Sequence, residues 1–153
     1  MCEDYPPFSE DSIKKGFQAT IQDDFRWMKS NIKSISLLGN VLLKNYASST
    51  GCYETLLVRN KKLTEGSTSN VFIVKDEIIY TPQLSNELLP GVTRGLLIRL
   101  LNQNNLKVIY LNPAFSWVFY FFPSLDCFKF NLRVTISLVK NPLIQLRLTR
   151  VCV

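Results

Sequence analysis

Apolar and polar positions alternate through Gly16–Gln22 (GFQATIQ), the two-residue period of a strand with one buried face, and Asp23-Asp24 follow as turn residues. From Ile35 the period lengthens. Ile35, Leu38, Val41, Leu42 and Tyr46 recur at helical spacing, with Ser34 available as a cap and Gly51 beyond the end. Cys52–Val58 (CYETLLV) reads as a strand and Arg59-Asn60-Lys61-Lys62 as a turn. Asn70–Val74 and Ile78–Thr81 flank Asp76-Glu77 in the manner of a hairpin. Pro90-Gly91 then opens a helix from Val92 to about Asn104, with Val92, Leu96, Leu100 and Leu101 expected on its inner face. Leu106 to about Tyr110 forms a further strand. This order of elements is α/β with a mixed sheet.

Past Val108 the character changes. No glycine follows Gly95, no glutamate follows Glu87, and Trp117–Phe122 has neither helical nor strand periodicity. The break divides the chain into an α/β part, residues 1–108, and a hydrophobic tail, residues 109–153, expected to be poorly ordered and unrelated to the rest.

The chain has 153 residues, about one domain, enough to bury roughly two-thirds of its unfolded surface. A 46% hydrophobic and 20% charged composition excludes a disordered or collagen-like chain. There is no histidine, which removes Ser-His-Asp and Cys-His catalysis and HExxH metal sites. The net charge of +6 is spread thinly: residues 1–108 hold 13 Lys/Arg against 11 Asp/Glu, and the tail's cations are widely spaced. No basic stripe fit for nucleic acid emerges. Cys2, Cys52, Cys127 and Cys152 form no CxxC pair and no zinc spacing, so free thiols in a reducing, cytoplasmic setting are expected, with no metal. The N-terminus lacks the pattern of a signal peptide, and the uncharged run Val108–Leu125 is too interrupted for a membrane span.

Three segments carry candidate chemistry. Lys33 precedes the amphipathic helix beside apolar residues, a setting that disfavours the ammonium and suits a Schiff-base nucleophile; a solvated surface lysine is the plainer alternative. Thr64–Phe72 (TEGSTSNVF) sets Glu65 ahead of a small-hydroxyl turn. The carboxylate suits a partner bearing N–H⁺, and Ser67, Thr68 and Ser69 could offer donors to an anion or simply make local turns. Leu89–Arg94 (LPGVTR) opens a helix, whose first N–H groups attract phosphate, although an ordinary Pro-Gly turn has the same sequence.

An aldehyde for Lys33, a protonated ring nitrogen for Glu65 and a phosphate for the helix start are together the groups of pyridoxal 5'-phosphate. In order and spacing, NIKSISLLGNV, GCYETLLVRN, TEGSTSNVF and LPGVTR resemble the class-IV pyridoxal-phosphate-dependent aminotransferases over about residues 6–108. Among these, EGSTSNVF is similar to the D-amino-acid (D-alanine) aminotransferases, where the branched-chain enzymes typically read EGSGENIF. The resemblance implies the cofactor-binding, C-terminal-type domain of that fold, a mixed sheet or pseudo-barrel with helices. It implies that Lys33 joins the cofactor aldehyde and shuttles the proton, and that Glu65 hydrogen-bonds the ring nitrogen. The amides of Val92 and Thr93, with the Thr93 hydroxyl, would hold the phosphate, Leu89 would pack against the ring, and Ser67, Thr68 and Ser69 would lie near the cofactor. It further implies D-amino acid and 2-oxo acid substrates and a homodimer.

Family members carry a separate N-terminal domain and continue past the Leu106–Val108 strand with further strands and a second hydroxyl-bearing phosphate turn. Neither is recognisable here, so the expectation is a truncated chain, inactive in isolation, whose tail derives from retained intron or frame-shifted sequence. Alternatives are an aminodeoxychorismate-lyase-like or branched-chain-like member of the superfamily, or a non-catalytic remnant.

Overall fold

The computed structural model describes residues 15–75 and 77–111, together with Ser9, Asp11 and residues 130–132. The expectations for the rest of the tail, and for Cys2, Cys127 and Cys152, lie outside the described residues.

Two β-α-β units make the frame. Strand β1 (Phe17–Asp23) passes through helix α1 (Leu38–Ser49) to the parallel strand β2 (Glu54–Arg59), and β5 (Ile78–Pro82) passes through α2 (Val92–Gln103) to the parallel β6 (Val108–Leu111). A parallel pair needs a crossover of this kind, because a tight turn can join only antiparallel neighbours. Each unit adds one antiparallel partner by a hairpin: β3 (Lys62–Gly66) on β2, and β4 (Ile73–Lys75) on β5. Strand β7 (Phe130–Leu132) pairs antiparallel with Phe17–Ala19 of β1. The sheets therefore run β3-β2-β1-β7 and β4-β5-β6.

Ala19, Leu56, Val58, Leu63, Val71 and Ile73 form the core between the sheets, with Ile21 and Tyr80 packed against it. Alternate residues of β2 turn the other way: Thr55 and Leu57 are fully buried, and the Thr55 hydroxyl donates to the carbonyl of Leu43 in α1 at 2.7 Å. Burial on both faces explains the unbroken apolar run Leu56–Val58 within β2. The β2–β3 hairpin turns on Asn60 (φ 51°) and Lys61 (φ 64°), the two left-handed residues of a tight two-residue loop.

Several expected boundaries move for identifiable reasons. Helix α1 begins at Leu38, three residues beyond Ile35, because the Ser34 hydroxyl accepts from the Ser36 amide at 3.3 Å instead of capping the helix. Gly51, at φ 71°, lies past its end, as expected. Strand β4 starts at Ile73, three residues beyond Asn70, because the Asn70 side chain bonds Glu65 and Leu89. Strand β6 is Val108–Leu111, displaced from Leu106 and crossing the expected division at residue 108.

The helix faces also differ from expectation. In α1 the buried residues are Leu43 and Ala47, while Ile35, Leu38, Val41, Leu42 and Tyr46 are exposed. In α2 only Leu101 of the expected inner set is buried, and Val92 is 88% exposed. Arg94 is buried in its place, donating to the Pro82 carbonyl at 2.8 Å. Burial holds its guanidinium below the usual arginine range, with Tyr110 opposing. Spacing marks an apolar face but does not say what covers it.

Candidate active site

The chain leaving β1 carries Asp24 and Arg26 under the β2–β3 hairpin, and the residues there are ionic. Arg26 grips Asp24 through Nε–Oδ1 (2.8 Å) and Nη2–Oδ2 (2.9 Å), a bidentate pair with both side chains buried. Its remaining nitrogen, Nη1, donates to Glu65 Oε1 at 2.6 Å. Arg59, at the end of β2, forms an ion pair through Nη2 with Asp24 Oδ1 (3.1 Å), and donates through Nη2 to the carbonyl of Arg26 (2.7 Å) and through Nε to the carbonyl of Asp24 (3.0 Å). Thr64 Oγ1 donates to Asp24 Oδ2 at 2.9 Å.

Glu65, 5% exposed near the end of β3, also accepts at Oε2 from Asn70 Nδ2 and from the amide of Leu89, both at 3.0 Å. Asn70 Nδ2 donates in addition to the Leu89 carbonyl at 2.9 Å. These bonds fasten the segment before α2 to the Glu65 carboxylate. A Cβ on Gly91 would collide with the Asn70 side-chain oxygen, so a residue without one is needed at the helix entrance. No side chain caps α2, and Val92 and Thr93 of its first turn are exposed. An uncapped, open helix start has orphan N–H groups available to an anion.

A second carboxylate organises the hydroxyl turn. Glu54, buried at the start of β2, accepts from the amides of Thr55 (2.8 Å), Ser67 (3.1 Å) and Thr68 (3.3 Å), from Thr68 Oγ1 and Ser69 Oγ (both 2.8 Å), and from Ser67 Oγ. The Ser67–Ser69 hydroxyls are thus directed at Glu54, an internal anion. Asn40 of α1 donates to the carbonyl of Ser67 at 2.7 Å, tying the turn to the helix that follows the Lys33 loop. A Cβ on Gly66 would stand 2.6 Å from Ser69 Oγ, which fixes glycine there.

The charges respond to these surroundings. Burial alone would raise Asp24 and Glu54, but the bonds and charges around them outweigh it, and both lie below the usual carboxylate range. For Asp24 the opposing groups are Arg26, Thr64 and Arg59, and for Glu54 they are Ser67, Ser69, the Thr55 amide and Thr68. Glu65 is pushed up: burial dominates, opposed by Arg26 and the Leu89 amide and reinforced by the charge of Asp24. Arg26 is buried too, yet Asp24 and Glu65 hold it above the usual arginine value.

Of the residues singled out from the sequence, the structure joins Glu65, Leu89 and the start of α2, and gathers Ser67, Thr68 and Ser69 on Glu54. Lys33 is exposed in the loop between β1 and α1, so its setting is that of a solvated lysine and not the desolvated one expected beside apolar residues. Asp24, Arg26, Glu54, Arg59 and Asn70 were not identified in the sequence. Glu54 had a signal, as a carboxylate inside an otherwise apolar strand. Asp24 and Arg26 had a weaker one, an acid and a base two apart beyond a strand end.

The donor set suits pyridoxal phosphate: a buried carboxylate for a ring N–H⁺, uncapped helix amides for a phosphate, and an accessible lysine for an aldehyde. The family model for amino-transferase class IV matches residues 3–113. A D-alanine aminotransferase of Bacillus licheniformis is 37% identical over 98 residues, covering 64% of this chain and 35% of that enzyme, so the chain spans about a third of such relatives. Two solved structures share the fold. An aminotransferase from Brucella abortus bound to pyridoxal phosphate has a TM-score of 0.61 and 25% identity over 71% of this chain and 39% of its own. The branched-chain aminotransferase of the archaeon Thermoproteus uzoniensis has a TM-score of 0.58 and 25% identity over 62% of this chain and 34% of its own. Matched over well more than half its length, the chain belongs to the class IV aminotransferases.

Proposed function

We propose that this chain supplies the cofactor-holding part of a pyridoxal-phosphate-dependent aminotransferase that moves the amino group of a D-amino acid of the D-alanine type to a 2-oxo acid. The observation that carries the reading is the bonding of Glu65 through Asn70 and Leu89 to the entrance of α2. On this reading, the bonds among Glu65, Asn70 and Leu89 would couple a ring-nitrogen partner to a phosphate cradle. The 37% identity to a D-alanine aminotransferase supports the substrate class. The same reading carries with it a homodimer acting on small substrates in the cytoplasm.

Bound pyridoxal phosphate would supply an aldehyde for amines and a ring able to accept an electron pair. Glu65 would accept the ring N–H⁺ and hold that proton in place. The amides of Val92 and Thr93, with the Thr93 hydroxyl, would orient the phosphate by charge-assisted hydrogen bonds. The half-buried Leu89 would lie against the ring face. Lys33 Nζ, exposed and on a loop, would engage the aldehyde, then carry a proton between substrate carbon and cofactor carbon. Ser67, Thr68 and Ser69 would act indirectly, as a turn held rigid by Glu54.

The test is chemical. Mixed with pyridoxal phosphate, the chain should acquire the visible absorbance of a lysine-bound cofactor, and borohydride should fix the label on Lys33 by mass spectrometry. Lys33→Ala should lose the absorbance and keep its fold. A label spread over Lys29, Lys61 and Lys62 would overturn the assignment.

A further inference from the structure

We propose that Arg26, clamped by Asp24, is a positioning residue for Glu65: it keeps the carboxylate ionised, fixes its orientation, and leaves Oε1, the less occupied oxygen, to a cationic N–H donor. The proposal rests on the reading of Glu65 as the partner of the ring nitrogen.

The first argument is one of counting. An ionised carboxylate has about four acceptor positions, two on each oxygen. Oε2 is filled by Asn70 Nδ2 and the Leu89 amide, and Oε1 holds Arg26 Nη1. Oε1 is therefore the less occupied oxygen, and it is the one that Arg26 holds. A ring N–H⁺ arriving there shares Oε1 with the guanidinium, so Arg26 helps define where it can bind.

The second argument is geometric. Arg26 has little freedom to release Glu65. Two of its nitrogens are committed to Asp24, and Nη2 reaches also to the carbonyl of Glu87 at 3.2 Å. Asp24 is itself held by Arg59 and Thr64. On the side of α1, Gly39 lies so close that an added Cβ would stand 3.1 Å from Arg26 Cγ. Only Nη1 faces Glu65, and the fork geometry sets its direction.

The third argument is charge. The buried group comprises two guanidiniums, Arg26 and Arg59, against the carboxylates of Asp24, Glu65 and the more exposed Glu87, whose Oε1 is 3.9 Å from Arg59 Nη1. With all five ionised, one negative charge is left over, and a protonated ring nitrogen neutralises it. Burial opposes ionisation of Glu65, and the hydrogen bond from Arg26 Nη1 works against burial. Without Arg26, burial would go less opposed and the Glu65 carboxyl would be pushed further up.

Carboxyl carbon NMR on the full chain tests this, with ¹³C-labelled glutamate and Glu65→Gln to identify the resonance. Arg26→Gln should raise the Glu65 midpoint, so that at the pH where the unaltered chain is half ionised the variant is mostly protonated. Arg26→Lys should restore part of the difference. A folded Arg26→Gln chain with an unmoved midpoint overturns the proposal. Should that variant not fold, the unaltered chain decides: the Arg26 guanidinium resonances must titrate with the Glu65 midpoint, and independent titration overturns the coupling. Pyridoxal phosphate, added to the unaltered chain, separates the two readings. A lowered midpoint supports both. A midpoint that ignores the cofactor but depends on Arg26 removes the ring-nitrogen role and leaves the hold of Arg26 standing.

Discussion

Glu54 gathers donors from three successive residues of a turn more than ten positions further along the chain, so its removal strands several polar groups at once. Glu54→Gln keeps the size but replaces one acceptor oxygen with an NH₂ donor. The expected loss is about 2–4 kcal/mol in urea unfolding, since breaking a buried charged network leaves its remaining members unpaired. The pH dependence has a definite sign. Asp24 and Glu54 titrate lower in the folded chain than in the unfolded one, where the value is about 4. Their contribution is therefore complete above that range and is lost as pH falls through their folded values. Glu65, raised by burial, acts in the opposite sense, and stability declines as pH rises through its folded value. Glu54→Gln should accordingly flatten the acid limb of a stability-against-pH profile; an undiminished slope would show that Glu54 contributes little to it. Glu65 was legible in the sequence because its neighbours form a motif. Arg26 and Asp24 were not, because their importance comes from Arg59 and Thr64, which only folding brings beside them.

At the scale of elements, most of the order of strands and helices was readable, but β3, whose residues were read as turn and loop, was not, and neither were the faces of the helices. Strand β2 could be placed from its central apolar run, Leu56–Val58, beside a turn. The stripe on α1 could be found, yet Leu43 and Ala47 rather than that stripe meet the sheet. Pattern alone cannot choose between two faces when both carry apolar residues. The β2–β3 hairpin offers a cleaner test. Lys61 sits at φ 64°, a left-handed conformation that costs a residue with a Cβ roughly 1 kcal/mol relative to glycine. Lys61→Gly should therefore raise the unfolding midpoint or leave it unchanged, with part of the gain offset by the greater freedom of the unfolded glycine. A clear loss of stability would mean that the lysine side chain contributes more than the turn conformation costs. The start of α2 makes a separate expectation: Thr93→Val should weaken binding of pyridoxal phosphate, measured by equilibrium dialysis, with little change in unfolding, because Thr93 is exposed.

For the molecule as a whole, the apolar residues left outside the core are concentrated. Phe25, Trp27, Met28, Ile32, Ile35, Leu37 and Leu38 are exposed within one stretch of chain, with Ile35 at 99% and Leu38 at 71%. Exposed apolar side chains in this number favour association. Sedimentation should show the expressed chain self-associating, and replacing Ile35 and Leu38 together with lysine should shift it towards smaller species. A monomer before and after the substitution would refute the expectation.

Arg59 has a consequence for how this molecule comes apart. After Asp23 the chain leaves the sheet, and the carbonyls of Asp24 and Arg26 accept from a guanidinium where a neighbouring strand would have offered amides. One side chain thus substitutes for a length of ladder. The Asp24–Ser30 segment has few ways to loosen piecemeal: once Arg59 withdraws, both carbonyls and the Asp24 carboxylate lose a partner in the same event. In native-state hydrogen exchange its protected amides should open as one unit, at a free energy below that of β2. The loop bearing Lys33 and the grip on Glu65 would then be surrendered together, in a single sub-global fluctuation.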